Sequence, residues 1–238
     1  MQTDSNDRVS VYILRLEKNL DLPAIETTLK SFLPESRLNR YSSYSHPSNR
    51  LQSLAGEVLS RFAIHTFTGI ANKDIEIGYG ENGKPFITNL ENVHFNISHS
   101  GDFVVCAVSN NAIGIDVERI RKVNLRIAER YFSTSELHDL LQLGEEERKT
   151  YFIALWTVKE SYLKAIGKGL TQHLNSFTVT KSETGYRLTG NANAESYHIE
   201  IQQLSKEYML ACCMAKQKSS LLMKEISLEE IIHSLSFQ

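Results

Sequence analysis

Three carboxylates in this sequence have the types and the spacing to bind a divalent cation. Asp116 and Glu118 alternate with Ile115 and Val117 in a predicted strand, so both acids point to the same side of it. Glu160 falls on the broad apolar face of a predicted helix, where a carboxylate needs a cation to offset its desolvation. Three such groups suit Mg²⁺ or Mn²⁺, ions that usually share their remaining positions with substrate phosphates. The pattern therefore indicates phosphoryl chemistry.

Each acidic motif also has a simpler interpretation when it is taken alone. A solvated strand face explains Asp116 and Glu118, since water can screen two neighbouring carboxylates. An ordinary ion pair on a helix surface explains Glu160 with Lys164 one turn later. The metal hypothesis therefore depends on the two motifs meeting in the fold.

A phosphate site also needs cations and hydrogen-bond donors, and the sequence offers several. Lys164 lies on the same helix as the third acid, and Lys84 lies in a turn dense in glycine and proline. Ser98 and His99 end a predicted strand and could bind phosphate through hydroxyl, imidazole and backbone N–H groups. Each has an alternative as a turn lysine, a strand-end serine or a surface histidine.

Helix and strand patterns are mixed along the whole chain, which predicts an α+β fold. Strands are predicted over 9–16, 75–79, 95–98, 103–109, 113–118, 177–180, 186–188, 197–204 and 208–214. Helices are predicted over 22–32, 34–44, 47–67, 125–130, 146–166 and 228–235, with a further helix that begins at a capping box at Ser133.

An internal echo suggests that one unit occurs twice. Segments 57–61 and 160–164 each have an acid four residues before a base, and 100–107 resembles 205–212 at nearly the same separation. A duplicated α+β unit explains the echo, and chance similarity of helix and strand patterns is the alternative. The duplication predicts two similar halves, 1–112 and 113–238.

Composition narrows the class of protein. A chain of 238 residues with 41% hydrophobic and 23% charged residues is ordinary for a globular protein, and a net charge of −2 argues against a general nucleic-acid or membrane-surface binder. The three cysteines form no zinc pattern. No signal peptide or transmembrane run is evident, so a cytoplasmic protein is expected.

The acidic motifs, with several others, resemble a known family. Gly114 to Glu118, followed by Trp156 to Lys164, resembles the two-part signature of the Sfp-type 4′-phosphopantetheinyl transferases. Three further segments also match that family: 83–85, 95–100 and 130–133. Together the matches cover roughly residues 34–180.

The resemblance implies a fold and an activity. Members of this branch are pseudo-twofold monomers with the active site in the cleft between two like halves. They transfer the phosphopantetheine arm of coenzyme A to a serine of an acyl or peptidyl carrier protein and release adenosine 3′,5′-bisphosphate. The expected partners are therefore a carrier domain and coenzyme A, with neither nucleic acid nor membrane.

The resemblance also assigns roles to residues. It places Mg²⁺, with Mn²⁺ as a possible substitute, on Asp116, Glu118 and Glu160 and makes Glu160 and Lys164 catalytic. Cofactor contacts are expected from Arg50, Gly83, Lys84, Pro85, Ser98, His99, Lys159 and Lys164. Among the N-terminal bases Arg37 and Arg40 are also candidates, but only Arg50 opens a helix as the family's arginine does. The first half is expected to bind coenzyme A phosphates, and the second to supply the metal ligands, the catalytic helix and, from the segment after Gly167, carrier docking.

Several alternatives stay open. The same carboxylates could serve a Mg²⁺-dependent phosphohydrolase, or the fold could be a non-catalytic module that binds coenzyme A or carrier domains. The base that accepts the seryl proton is either Glu160 or a metal-bound water. The pathway of the carrier, whether fatty acid, polyketide or nonribosomal peptide, is also open.

Overall fold

The computed structural model describes residues 8–17, 19–169, 173–182, 185–190, 194–215 and 220–236. Its helices are α1 (Leu22–Lys30), α2 (Glu35–Ser42), α3 (Pro47–Thr68), α4 (Leu125–Tyr131), α5 (Thr134–Gln142), α6 (Glu145–Ile166) and α7 (Leu228–Ser236). Its strands are β1 (Arg8–Arg15), β2 (Ile77–Tyr79), β3 (Pro85–Ile87), β4 (His94–Ser100), β5 (Phe103–Ser109), β6 (Ile113–Arg119), β7 (Thr178–Ser182), β8 (Gly185–Thr189), β9 (Tyr197–Ser205), β10 (Tyr208–Ala215) and β11 (Ser220–Ile226).

Two sheets and two hairpins contain these strands. The first sheet has the order β11-β1-β5-β4, and the second has the order β6-β10-β9. All neighbours are antiparallel except β1 and β11, which run parallel with Arg8 opposite Ser220. The hairpins β2-β3 and β7-β8 stand apart from both sheets.

The order of elements repeats, which confirms the predicted α+β fold of two similar halves. Each half begins with a strand, continues through helices to one long helix, and then forms a hairpin and two more strands. The strand order β1-β5-β4 of the first half returns as β6-β10-β9 in the second. The long helices α3 and α6 both have 22 residues and end at a left-handed glycine, Gly69 and Gly167.

Three apolar clusters hold the layers together. Helix α3 packs on the first sheet around Leu54 and Leu59, and α6 packs on the second around Leu155 and Val158. A third cluster lies where the two sheets face each other and contains Val11, Val105, Ile113, Ile115, Leu210 and Cys212. Each sheet therefore packs on a long helix with one face and on the other sheet with the opposite face.

Several local predictions are confirmed and two strands were missed. Ser133 caps α5 in a full capping box with Glu136. Strands β3 and β11 have no counterpart among the predicted strands. No helix in the described ranges is both long and apolar enough to cross a membrane.

Candidate active site

A cavity of about 470 Å³ lies where β4, β6 and α6 meet. It is lined by Ile97, Ser98, His99, Asp116, Glu118, Tyr131, Trp156, Glu160 and Lys164. The first half supplies the β4 residues, and the second half supplies the three predicted acids and the lysine. The expected meeting of the two acidic motifs in a cleft between the halves is therefore observed.

Gly114 is what lets α6 come close enough to β6 to bring the acids together. A Cβ at this position would lie 2.0 Å from the carbonyl oxygen of Ser161 and 2.3 Å from the backbone nitrogen of Ala165. Both distances are far below normal contact, so any larger residue would push the helix away from the strand. The glycine that opens the β6 motif thus has a packing role that the sequence pattern alone did not reveal.

Asp116 is held in place by a hydrogen bond and an ion pair. Its Oδ1 accepts hydrogen bonds from Lys164 Nζ at 2.6 Å and from Ser98 Oγ at 2.8 Å. Its Oδ2 is buried and has no hydrogen-bond partner within the described part of the chain. A buried carboxylate oxygen without a donor costs free energy, which a cation at this position would recover.

Ser98 has no spare hydrogen-bonding capacity in this arrangement. Its hydroxyl donates to Asp116 and accepts from Lys164 Nζ at 2.9 Å and from the backbone nitrogen of Val117 at 3.4 Å. A hydroxyl has one donor and two acceptor positions, and all three are used. Ser98 therefore orients the aspartate and the lysine here, and a phosphate would have to displace one of these partners.

The other two acids carry the electrostatic signature of a cation site. Burial, and next the charge of Asp116, raise the pKa of Glu160 and also that of Glu118. Ser100 donates to Glu118 Oε2 at 3.3 Å, whereas Lys164 pairs with Asp116 and not with Glu160. In their present rotamers no three acidic, histidine or cysteine side chains of the described residues form a ready-made ion site. The three acids line one cavity, and their side chains must rotate before they can share a single ion.

Lys84 bridges the halves instead of facing this cavity. Its ammonium donates to the carbonyl oxygens of Ile113 and Ala165, each at 3.1 Å. Asn82, from the same turn, donates to the carbonyl oxygen of Gly167 at 3.0 Å. Burial lowers the pKa of Lys84 to about 8. The turn of the first half thus caps the C-terminal end of α6, and the prediction that the Lys84 ammonium binds phosphate does not agree with this geometry.

A second, smaller cavity adjoins the first at Ile97 and His99. It has a volume of about 180 Å³, and its other lining residues are Arg37, Arg40, Tyr41, Ser53, Gly56, Glu57, Ser60, Ile77, Tyr79, Gly83, Pro85 and Phe95. The guanidinium carbons of Arg37 and Arg40 lie 4.8 Å and 4.6 Å from the centre of the Tyr79 ring. The smaller cavity is thus a recess with cationic and aromatic side chains next to the acidic cavity.

Comparison with known proteins decides the family. Residues 112–213 match the model of the 4′-phosphopantetheinyl transferase superfamily, and residues 25–111 match that of the 4′-phosphopantetheinyl transferase N-terminal region. The 4′-phosphopantetheinyl transferase Sfp of Bacillus subtilis is 33% identical over 94% of this chain and 100% of its own. The chain belongs to the 4′-phosphopantetheinyl transferase superfamily.

Other relatives agree with this assignment. The transferase psf-1 of Bacillus pumilus is 36% identical over 78% of this chain and 80% of its own. The transferase HetI of a Nostoc strain is 31% identical over 60% of this chain and 63% of its own. The prediction of a 4′-phosphopantetheinyl transferase from the acidic motifs is thus confirmed at the level of family and enzyme class.

Lys159 of this transferase lies in the core, so its position gives no support to the predicted role in cofactor binding. Its side chain is 0% exposed and pairs with Glu136 at 2.9 Å. Its ammonium also donates to the carbonyl oxygens of Leu174 and Phe177, each at 2.8 Å. These bonds lie on the face of α6 that packs on its own half, away from Glu160 on the cavity side. The lysine holds that half together.

Arg50 does not line either cavity of the transferase. Its Nε donates to Glu26 at 2.9 Å and 3.0 Å. Arg37 and Arg40, which the sequence analysis named as candidates but did not assign, are the arginines that face the smaller cavity. The geometry therefore replaces Arg50 by these two as candidates for binding an anionic group.

Aromatic residues beside the acids were also missed as site residues. Trp156 and Tyr131 line the larger cavity, with their rings edge to face at 5.9 Å. Trp156 also stacks on Phe152 at 6.2 Å. The helical pattern assigned Trp156 to the buried face, and its position one turn before Glu160 was the available signal.

Proposed function

We propose that this protein transfers the 4′-phosphopantetheine arm of coenzyme A to a serine of an acyl or peptidyl carrier protein in a Mg²⁺-dependent reaction, with Mn²⁺ as a possible substitute. The products are the holo-carrier protein and adenosine 3′,5′-bisphosphate. The observation that carries the proposal is the convergence of Asp116, Glu118, Glu160 and Lys164 on one cavity at the junction of the halves. Family membership supplies the reaction class.

The two adjoining cavities suit the two ends of the coenzyme. Arg37, Arg40 and Tyr79 offer cations and an aromatic face for the phosphorylated nucleotide, with Gly83 and Pro85 along the wall. His99 lines both cavities, which is where the pyrophosphate would cross from one to the other. Trp156 and Tyr131 form an apolar wall of the larger cavity, against which the phosphopantetheine arm could pack.

The donor set fits a hard divalent cation. Asp116 pairs with Lys164 through Oδ1, but its Oδ2 is buried without a hydrogen-bond partner, and the pKa values of Glu118 and Glu160 are raised. The one lysine therefore does not neutralise the three carboxylates. We propose that these three residues hold Mg²⁺ once their side chains rotate toward it. The ion would stabilise the negative charge of the coenzyme's pyrophosphate.

The protein's own residues account for the remaining steps. The seryl Oγ of the carrier attacks the phosphorus that bears the arm, and the bond from that phosphorus to the adenosine bisphosphate oxygen breaks. The seryl proton needs an acceptor, and Glu160, which lines the cavity, is the acceptor that this chain itself offers. Lys164, 2.6 Å from Asp116, lies where it can neutralise charge on the phosphate under attack.

One chain contains all the elements of this site, because β4, β6 and α6 belong to the same polypeptide. We therefore also propose that the active species is a monomer. Light scattering at the concentration used for the assay measures this directly, and activity that appears only with a dimer would contradict it.

The decisive assay is mass spectrometry of apo carrier domains after incubation with the protein, coenzyme A and Mg²⁺. Carriers from fatty acid, polyketide and nonribosomal peptide pathways form the panel. We expect the mass of the arm on the acceptor serine of at least one carrier, and no addition to a serine-to-alanine carrier. Breakdown of coenzyme A without a carrier would instead favour the phosphohydrolase, and binding without any reaction would favour the non-catalytic module.

A further inference from the structure

Strands β4 and β6 run side by side in the same direction but belong to separate sheets. Side chains of β4 replace the missing backbone ladder between them. The accepting oxygens belong to Asn96, Ser98 and Ser100, and the donating backbone N–H groups belong to Ile115, Val117 and Arg119, at 2.8, 3.4 and 3.2 Å respectively. Both strands advance by two residues at each step, so the three bonds form a regular row, which we call the polar row.

The polar row explains how the boundary between β4 and β6 can satisfy its hydrogen-bonding groups and still border a cavity. Buried N–H groups along the edge of β6 need acceptors, and regular pairing would bring β4 to within about 4.8 Å. Side-chain acceptors satisfy the same donors while holding the strands farther apart. The extra separation leaves room at this boundary for the cavity that Asp116 and Glu118 line.

Two members of the row also touch the acids, and one does not. Ser98 donates to Asp116 and Ser100 donates to Glu118. Asn96 is 4% exposed and makes the shortest bond of the row, to the backbone of Ile115 next to Asp116. It therefore fixes the register that puts each serine opposite its acid, without contacting either carboxylate.

We propose that Asn96 is a positioning residue, which holds β6 in the register that presents Asp116 and Glu118 to a divalent cation. The inference rests on the cation site of the proposed function. Its chemical basis is that groups behind a ligand fix the direction of the ligand's oxygen atoms, and losing such a group typically weakens metal binding by about 10-fold to 100-fold.

The test compares Asn96→Ala with Asn96→Ser, two variants that differ by one oxygen. The serine restores the type of acceptor that the next two members of the row already use. Binding of Mn²⁺ alone is measured on the folded proteins by electron paramagnetic resonance, with thermal unfolding recorded in parallel. We expect Asn96→Ala to raise the Kd for Mn²⁺ by about tenfold or more and Asn96→Ser to recover much of that loss.

Ser109→Ala is the matched control. Like Asn96, this serine is buried in a strand of the first sheet and lies outside the cavity lining. Its hydroxyl accepts from the backbone nitrogen of Asn111, which precedes β6 and is not part of the polar row. It should lower the unfolding temperature and leave the Kd for Mn²⁺ unchanged. If Asn96→Ala does not fold, Asn96→Gln takes its place, because it keeps the amide but displaces the accepting oxygen by one methylene and should also raise the Kd for Mn²⁺.

Two outcomes would overturn the positioning role. One is an Asn96→Ala protein that binds Mn²⁺ as tightly as the wild type and differs only in unfolding temperature. The other is an Asn96→Ser protein that binds Mn²⁺ as weakly as the alanine variant. If the wild type binds Mn²⁺ but modifies no carrier, the transferase proposal fails while the metal-binding comparison still decides the role of Asn96.

Discussion

The long helices of the two halves contain the same acid-to-base spacing and use it in opposite ways. In α3, Glu57 accepts from Arg37 at 3.0 and 2.8 Å, from Tyr41, and pairs with Arg61 at 3.6 Å. In α6, Glu160 lines the cavity, and its lysine pairs with Asp116 instead. The charge of Glu57 is neutralised by neighbouring side chains, whereas Glu160 remains available to a bound cation.

The pKa values follow this difference. Burial alone would raise the pKa of Glu57, but hydrogen bonds from Arg37 and Tyr41 outweigh burial and hold it below its ordinary value. Burial also acts on Glu160, where the charge of Asp116 adds to it and the pKa stays raised. The comparison teaches that the spacing defines a position in the fold, and that the neighbours decide whether this position is structural or chemical.

The first strands of the halves differ in the same sense. Tyr12 pairs with Cys106, and Asp116 pairs with Ala211, at matching places in the repeated order. Tyr12 packs against Phe62 of α3 with ring centres 5.2 Å apart, so the first half has an apolar contact where the second half has its acid. The outer edge of β1 is closed by β11, whereas the edge of β6 faces the polar row. Of the two edges, the one at β6 borders the cavity that the three acids line.

The largest expected effect comes from Glu160→Gln. Turnover should fall by about 10³-fold, because a cation ligand and a proton acceptor are lost together. The free energy of unfolding of the cation-free protein should hold or rise slightly at neutral pH, since the carboxylate has no close ion pair to lose and burial disfavours its charge. Mass-spectrometric rates with a carrier and coenzyme A, together with urea unfolding, measure both. Near-normal turnover would contradict the role of the α6 acid.

Glu57→Gln should show the reverse pattern. Removing the charge leaves Arg37 and the buried Arg61 without their anion, so we expect a loss of about 3 kcal/mol in the free energy of unfolding. At saturating coenzyme A the folded fraction should retain turnover within a few-fold, because Glu57 lines the smaller cavity, which we assign to the nucleotide, and not the larger cavity with the acids. Urea unfolding and a rate corrected for folded protein separate the two effects. A stable variant would show that the pairing in α3 is dispensable.

Arg40→Ala and Arg50→Ala compare two arginines of the first half. We expect the first to raise the KM for coenzyme A by about tenfold or more, since a charge-assisted hydrogen bond contributes about 1.5–3 kcal/mol. The second should change this KM much less, because Arg50 is already paired with Glu26. Steady-state kinetics with coenzyme A varied at saturating carrier measure the difference. Equal effects would restore Arg50 as a cofactor contact.

The smallest effect is one of pH, and its sign should differ between the two acids. The pKa of Glu57 is lowered, so its stabilising contribution is complete at neutral pH and is lost as pH falls through that lowered pKa. The pKa of Glu160 is raised, so its charge destabilises the cation-free protein once pH rises above the ordinary value and through the raised one. Urea unfolding of both glutamine variants and the wild type at several pH values measures this. Parallel pH profiles would contradict the contrast.

Sequence patterns predicted the elements of the site well because those patterns are local. The alternation in β6, the periodicity of α6 and the capping box at Ser133 each depend on residues within a few positions of one another. The repeat and the meeting of the acids followed from them.

The sequence could not predict the ion-pair and hydrogen-bond partners of the basic residues. Lys159 looks exposed next to Glu160, but Glu136 from α5 draws it into the core. Arg50 is taken by Glu26, and the Lys84 ammonium is taken by carbonyls of the other half. Each of these pairs joins residues far apart in the sequence, and their competition for one cation is decided only in the folded chain.

The pairing of β1 with β11 has a consequence for how the chain is made. Arg8 pairs with Ser220, so the first sheet cannot be completed until β11, the last strand to be synthesised, has left the ribosome. Contacts this distant along the chain slow folding and leave a hydrogen-bonding edge uncovered in the meantime. Nascent chains that stop short of β11 should therefore depend on chaperones, even though every residue that lines the acidic cavity has already been translated.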